Sequence, residues 1–333
     1  MDALTAVPTA WRGVPAWLVL GDRLQIVLTV TGCHLASLRL RGEDLDPLWQ
    51  PQWPAADPRT VTGSPTGAYG DGPEAALLAG IVGSNLCLDR FGAPWPGEER
   101  PLHGEAGLAR YERTQPARER VDFTAWLPEA RLQVERHVHL DGTTLHLATT
   151  VRHLGGCARA VEWCEHTSLG GSFLDGLRIR ADIDRVANWP GPRAADSRFP
   201  MAAPEARIAT DRALAVPAAD DPPCGDVLAA RVLVRDDATW TAENPRWRRR
   251  LSARWRASDF PWLALWTQHR SRTGPPWSGR ERVRGMELST KPFPEGKPPA
   301  VRARSYLGRS TLCEVPPGAG RKHAIQLRWE RME

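Results

Sequence analysis

Three separated segments each hold proton-carrying side chains in unusual company: Pro101-Leu102-His103-Gly104-Glu105-Ala106-Gly107, Trp163-Cys164-Glu165-His166-Thr167 and Gly285-Met286-Glu287-Leu288-Ser289-Thr290-Lys291-Pro292-Phe293-Pro294. Brought together, two histidines and a glutamate make an acid/base pair with a helper, suited to moving protons on a small hydroxylated molecule. Each has a plainer local reading. His103 lies in a glycine-bounded loop entering an expected strand, Ala109 to Glu112, where a lone histidine is ordinarily surface. His166 ends a strand-like run from Ala160 to Glu165, and its neighbour Glu165 must face the other way on a strand. Glu287, between Met286 and Leu288, reads either as a salt-bridge partner of Arg280, Arg282 or Arg284 or as a partly buried carboxylate with a raised pKa. Only a fold that closes over all three unites them.

The chain that must do this has 333 residues, 41% hydrophobic and 25% charged, the balance of a globular protein. That length buries a sizeable core without disulfides or metals. Thirty prolines and 29 glycines argue against long helices. The 15 tryptophans offer sugar-stacking platforms, although core packing is their commoner use. The net charge is +5, and every basic residue except Lys291, Lys297 and Lys322 is arginine. The densest run, Arg246 to Arg256, has neither a zinc-finger nor a helix-turn-helix nor an RNA-recognition signature. Its alternation of Leu251, Ala253 and Trp255 with arginines reads as a solvated strand face. No nucleic-acid partner is therefore expected. Cys33, Cys87, Cys157, Cys164, Cys224 and Cys313 are scattered without a CxxC pair, which fits neither a zinc ribbon nor a small disulfide scaffold. No run approaches the roughly 20 apolar residues of a membrane helix, and the apolar patch Ala16 to Leu20 has no basic lead. A cytoplasmic location and no membrane partner are expected.

Period-two alternation dominates. Strands are expected at Arg23 to Val30, Glu119 to Leu127, Ala130 to Leu140, Thr143 to Leu154, Gly176 to Ile183, Val227 to Arg235, Arg250 to Arg256, Pro261 to Gln268 and His323 to Glu330. Asp141-Gly142 reads as the two-residue loop of a hairpin. That register sets His137 opposite His146, with His139 on the same face. Three such histidines match a metal site, but a polar outer sheet face accounts for them as well. Two irregular stretches, Asp46 to Glu74 and Asp184 to Asp226, are long enough to carry function. The expected fold is all-β: one domain spanning 1–333, a large antiparallel β-sandwich with long loops at its rim.

The three segments also carry a family resemblance. Leu102-His103-Gly104 resembles the Leu-His-Gly-Gly segment of the aldose 1-epimerase (mutarotase) family, in the galactose mutarotase-like superfamily. His166 resembles the histidine of its Asn-His-x-Tyr-Phe motif, and Met286 to Pro294 is similar to the late strand bearing its glutamate. Order and spacing agree from about residue 20 to 330. Glu105, Glu165 and Ser168-Leu169-Gly170 depart from the pattern, and the family's Gly-Arg-x-x-Asn-Arg appears only as Gly83 to Arg90, so the chain looks like a divergent branch. The resemblance implies anomer interconversion by ring opening, with Glu287 as base, His166 as acid and His103 hydrogen-bonding the sugar. Asn85, Arg90 and Gln268 would then bind hydroxyls, and Trp266 or Trp95 would stack on the ring. Neither metal nor cofactor is implied; the partner is a small-molecule sugar, and the protein a monomer or homodimer. Unperturbed carboxyl and imidazole pKa values near ~4.3 and ~6.5 make an ionised Glu287 beside a protonated His166 accessible near neutrality. The rivals are a sugar-binding protein without catalysis and a lyase or sugar-phosphate epimerase. The phosphate reading needs Arg90 and one of Arg280, Arg282 or Arg284 to converge.

Overall fold

A computed structural model describes every residue except 1–3, 62–66, 71, 115–118, 190, 192–195, 200–207 and 298–302. Two antiparallel sheets dominate it. The larger runs, in spatial order, Thr5–Trp11, Val14–Leu20, Leu24–Thr29, Leu35–Leu40, Ser84–Asp89, Arg159–Gly170, Arg282–Ser289, Trp262–His269, Cys224–Val232 and Ile183–Asn188, with Cys313–Val315 pairing the start of Arg159–Gly170. The smaller runs Arg178–Ala181, Asp237–Asn244, Arg249–Arg256, Gly320–Arg331, Thr144–His153, Leu132–Asp141, Val121–Leu127 and Glu112–Arg113. A short ribbon, Ser305–Tyr306 with Arg309–Ser310, stands apart.

The alternation expected from sequence produces the core. Leu132, Val134, Val138 and Leu140 point inward, as do Leu251, Ala253 and Trp255, and they meet Leu24, Ile26, Leu86, Leu263 and Leu288 of the other sheet. The fully buried Trp163, Trp240, Trp255, Trp262 and Trp329 are packing residues rather than platforms. The arginine run behaves as a strand face: Arg249 pairs with Glu43, Arg250 with Glu243 and Arg254 with Asp237. Among the described residues no helix is long and apolar enough to cross a membrane.

Several expectations are corrected. Asp141 pairs with Thr144 and His139 with His146, so the hairpin loop is Gly142-Thr143 and His137 faces Ala148. Gly142, at φ +53°, takes the first turn position, which leaves Asp141 in the strand. His137 then binds Asp122 at 2.8 Å, and no group of three or more potential ligands able to hold a metal occurs among the described residues. The run Gly176 to Ile183 is two strands in different sheets. The crossing is at Asp182, whose carboxylate accepts from Thr239 N and Oγ1 and from Arg235. Ala109 to Glu112 is not a strand: Arg110 makes an isolated bridge to Thr31, and the ladder begins only at Glu112–Arg113. His166 lies within its strand, not at its end, because pairing continues to Gly170. The stretch Asp184 to Asp226 holds strand Ile183–Asn188, helix Thr210–Leu214 and the start of Cys224–Val232. Parts of it, and of Asp46 to Glu74, lie outside the described residues.

Candidate active site

The site stands on the outer face of the larger sheet. Antiparallel register aligns Asn85, His166, Glu287 and Ala264 in one row across four neighbouring strands, all therefore on one face. Glu165, one step from His166, faces the core, where its carboxylate binds Arg136 at 2.9 Å and Thr149 at 3.1 Å. His166 Nε2 and Glu287 Oε1 are 3.2 Å apart, and the Ser168 hydroxyl lies 3.3 Å from His166 Nδ1. Gly285, two residues before Glu287 on the same face, leaves room for the carboxyl: a Cβ there would meet Glu287 Oε1 at 2.5 Å.

His103 arrives on a loop that packs against strand Ser84–Asp89. Leu88 N donates to His103 O at 3.2 Å and Ala106 N to Leu88 O at 3.1 Å. Gly104 makes this approach possible: at φ +76° its missing Cβ would meet Leu88 O at 2.3 Å. The His103 ring lies 5.8 Å from that of His166, edge to face. Gly92 N donates to His103 Nδ1 at 3.1 Å, which puts the ring proton on Nε2 and makes that nitrogen a neutral donor.

A cavity of about 240 Å³ brings His103, His166 and Glu287 together with Trp266, Trp277, Trp189, Glu74 and Arg272. That is below the roughly 300–1,000 Å³ of clefts for drug-sized ligands and suits one small ring. A larger groove, about 740 Å³, lies beside Trp126 and Glu105 without this acid/base grouping. Trp266 stands 5.7 Å from the His166 ring and belongs to an aromatic wall with Trp49, Trp53 and Trp277. Glu281 anchors the wall by accepting from Trp49 Nε1 at 2.7 Å and from Gln52 N at 2.9 Å.

Burial governs the electrostatics. It pushes the Glu287 carboxyl up to about 8, against a smaller downward pull from Arg284, and lowers His166 to about 4. His103 falls to about 3 from burial first, then from the His166 and Lys291 charges. An ionised Glu287 beside a protonated His166 is thus not the state the site favours at rest. Both charges lack solvation, so the single proton sits on the carboxyl and the imidazole is neutral.

The remaining expected residues lie elsewhere. Arg90 is buried, stacked 3.5 Å from the Trp95 ring centroid and paired with Asp89 at 3.0 Å and Glu98 at 2.6 Å. Trp95 is thereby occupied as well. Asn85 is in the row of His166 and Glu287 but outside the cavity lining, its Nδ2 on Cys87 Sγ at 3.6 Å. Gln268 meets Ser271 at 3.2 Å and does not line the cavity. Arg282 binds Asp175, and Arg284 binds Thr267 and the Ala213 carbonyl, so they do not converge with Arg90. Glu74, Arg272 and Trp277 escape sequence reasoning: they sit in loops, where neither periodicity nor motif marks them.

No protein-family model and no curated protein matches the chain. Solved structures do. A galactose mutarotase-like protein from Clostridium acetobutylicum superposes with TM-score 0.66 at 11% identity, over 99% of this chain and 99% of that one. A galactose mutarotase related enzyme from Lactobacillus acidophilus gives 0.62 at 12%, over 95% and 98%. A galactose mutarotase-like protein from Lactobacillus casei gives 0.59 at 11%, over 98% and 100%. With so little identity, what is shared along nearly the full length is the path of the backbone: this chain has the galactose mutarotase-like fold.

Proposed function

We propose that the protein is an aldose 1-epimerase-like isomerase that interconverts the α and β anomers of a small sugar, with the chain working as one domain. The observation that carries the reading is the 3.2 Å contact of His166 Nε2 with Glu287 Oε1 inside a ring-sized cavity. One proton shared across that contact provides an acid and a base at once. With the proton moved onto His166, the Glu287 carboxylate takes the proton of the anomeric hydroxyl. The imidazolium protonates the ring oxygen as the C1–O5 bond breaks. The open aldehyde rotates about C1–C2 and closes on its other face, with the roles reversed. Neutral His103 donates from Nε2 to the ring oxygen or a neighbouring hydroxyl, and Trp266 flanks the sugar.

The test is anomer exchange by NMR over a panel of aldoses. Glu287→Gln and His166→Ala each lower the rate about 10²–10⁴-fold, the usual worth of positioned proton transfer. Undiminished exchange in both removes the assignment. The active state holds one proton on the pair, so exchange stays level between about pH 4, where a second proton binds, and about pH 8, where the last is lost. A profile that titrates near pH 6.5 instead contradicts a buried, coupled pair. The second reading is a sugar-binding protein without catalysis; the burial that keeps Glu287 protonated and His166 neutral, leaving neither a ready base nor a ready acid, favours it. It predicts binding with no acceleration.

A further inference from the structure

We propose that Glu74 and Arg272 form the recognition end of this cavity, reading adjacent hydroxyls of a neutral sugar and turning away sugars that carry a phosphate or carboxylate. The inference rests on the anomer-exchange reading of His166 and Glu287 and goes beyond it by naming the substrate class. Glu74 precedes the short helix Ala75–Gly80, and Arg272 lies in the loop after strand Trp262–His269. They are 198 residues apart in sequence, yet they form an ion pair and line the same cavity as the catalytic residues.

The pair is held in place. The Arg272 guanidinium lies 4.3 Å from the Trp277 ring centroid, and Trp277 stacks on Trp49 at 5.6 Å with the planes 6° apart. Trp266 touches both ends of the site, 5.7 Å from the His166 ring and 6.0 Å from that of Trp277. One aromatic wall therefore runs from the proton-transfer pair to the guanidinium. A guanidinium offers only donors and a carboxylate only acceptors. Side by side they complement two neighbouring hydroxyls, each of which both donates and accepts.

Charge argues for a neutral ligand. Among the groups that line the cavity, Glu74 pairs with Arg272, His166 and Glu287 share one proton, and burial keeps His103 uncharged, while the Arg284 guanidinium lies outside the lining on Thr267 and the Ala213 carbonyl. An anionic sugar would have to displace Glu74 from Arg272 and leave that carboxylate beside a second negative group, a juxtaposition that disfavours the wrong partner.

The experiment measures anomer exchange by the full chain on D-glucose and D-galactose, their phosphorylated forms and their uronic acids. The neutral sugars are expected to exceed the anionic ones about tenfold or more in kcat/KM. Arg272→Gln raises KM for neutral sugars about tenfold with kcat nearly unchanged, the mark of lost uniform binding. Arg272→Lys, which keeps the charge but not the planar fork, falls between. Glu74→Gln narrows the preference against anions. Faster exchange of the anionic sugars, or an unchanged KM in both Arg272 variants, overturns the inference while leaving the acid/base reading intact. If no sugar exchanges faster than in buffer, the acid/base reading fails. Calorimetric binding of the same sugars then decides this one: tighter binding of neutral sugars, weakened by Arg272→Gln, supports it, and any other result overturns it.

Discussion

A methyl group at position 285 would stand 2.5 Å from Glu287 Oε1 and 3.0 Å from Trp266 Cβ. Gly285→Ala is therefore expected to cost about 1–3 kcal/mol from overpacking. It should also slow anomer exchange at least about tenfold, since a displacement near 1 Å can cost about 10²-fold. Thermal melts and exchange rates on the same variant check both, and undiminished exchange would show that the carboxyl tolerates the shift. At this scale the sequence was informative where a short motif fixed the backbone. His103 read locally as a surface histidine, and only the resemblance carried by Leu102-His103-Gly104 pointed to the cavity that it lines; the apolar neighbours of Glu287 pointed to its burial. Arg90 was misleading because Asp89 and Glu98 claim it, and no local pattern announces that a nearby acid will fold back onto a base.

Between the sheets, Glu165 and Arg136 form a buried ion pair at 2.9 Å that ties a strand of the smaller sheet to the strand bearing His166. Glu165→Leu alone strands a buried guanidinium and is expected to destabilise by about 3–5 kcal/mol. The double variant Glu165→Leu with Arg136→Met should recover most of that loss. Urea unfolding of the two singles and the double measures the coupling, and strict additivity would contradict it. The strands around this pair show what sequence can and cannot supply. Strands of the smaller sheet alternate cleanly, since one face meets the core and the other solvent, and most of them were expected near their true limits. Ser84–Asp89 is buried on both faces, covered by the core below and the His103 loop above, so it has no alternation to read. The hairpin was recognised, but Asp141-Gly142 left its register open until Gly142 took the first turn position.

Across the molecule, buried neutral histidines make stability depend on pH. Burial lowers His34 to about 4 and both His103 and His323 to about 3, against an ordinary value of 6.5. Below pH 6.5 the unfolded chain binds protons that the folded chain refuses. The stability these groups contribute is present above that value and is lost as the pH falls toward 4. Each contributes a slope of up to about 1.4 kcal/mol per pH unit. Glu287 works the other way: its contribution is complete below pH 4.5 and is lost as the pH rises through about 8. Melting temperatures from pH 7 to pH 4.5 should fall steeply, and less so in His323→Phe, which keeps the stack on Trp163 at 4.2 Å without a titrating group. Equal acid sensitivity in that variant would remove His323 from the account.

The cavity floor belongs to central strands and its mouth to loops. His166 and Glu287 are thus expected among the last to open in hydrogen exchange, and the segments that carry Glu74 and Arg272 sooner. On the proposed reading, transplanting those two rim segments from a protein with different tastes should change ligand preference and leave turnover intact.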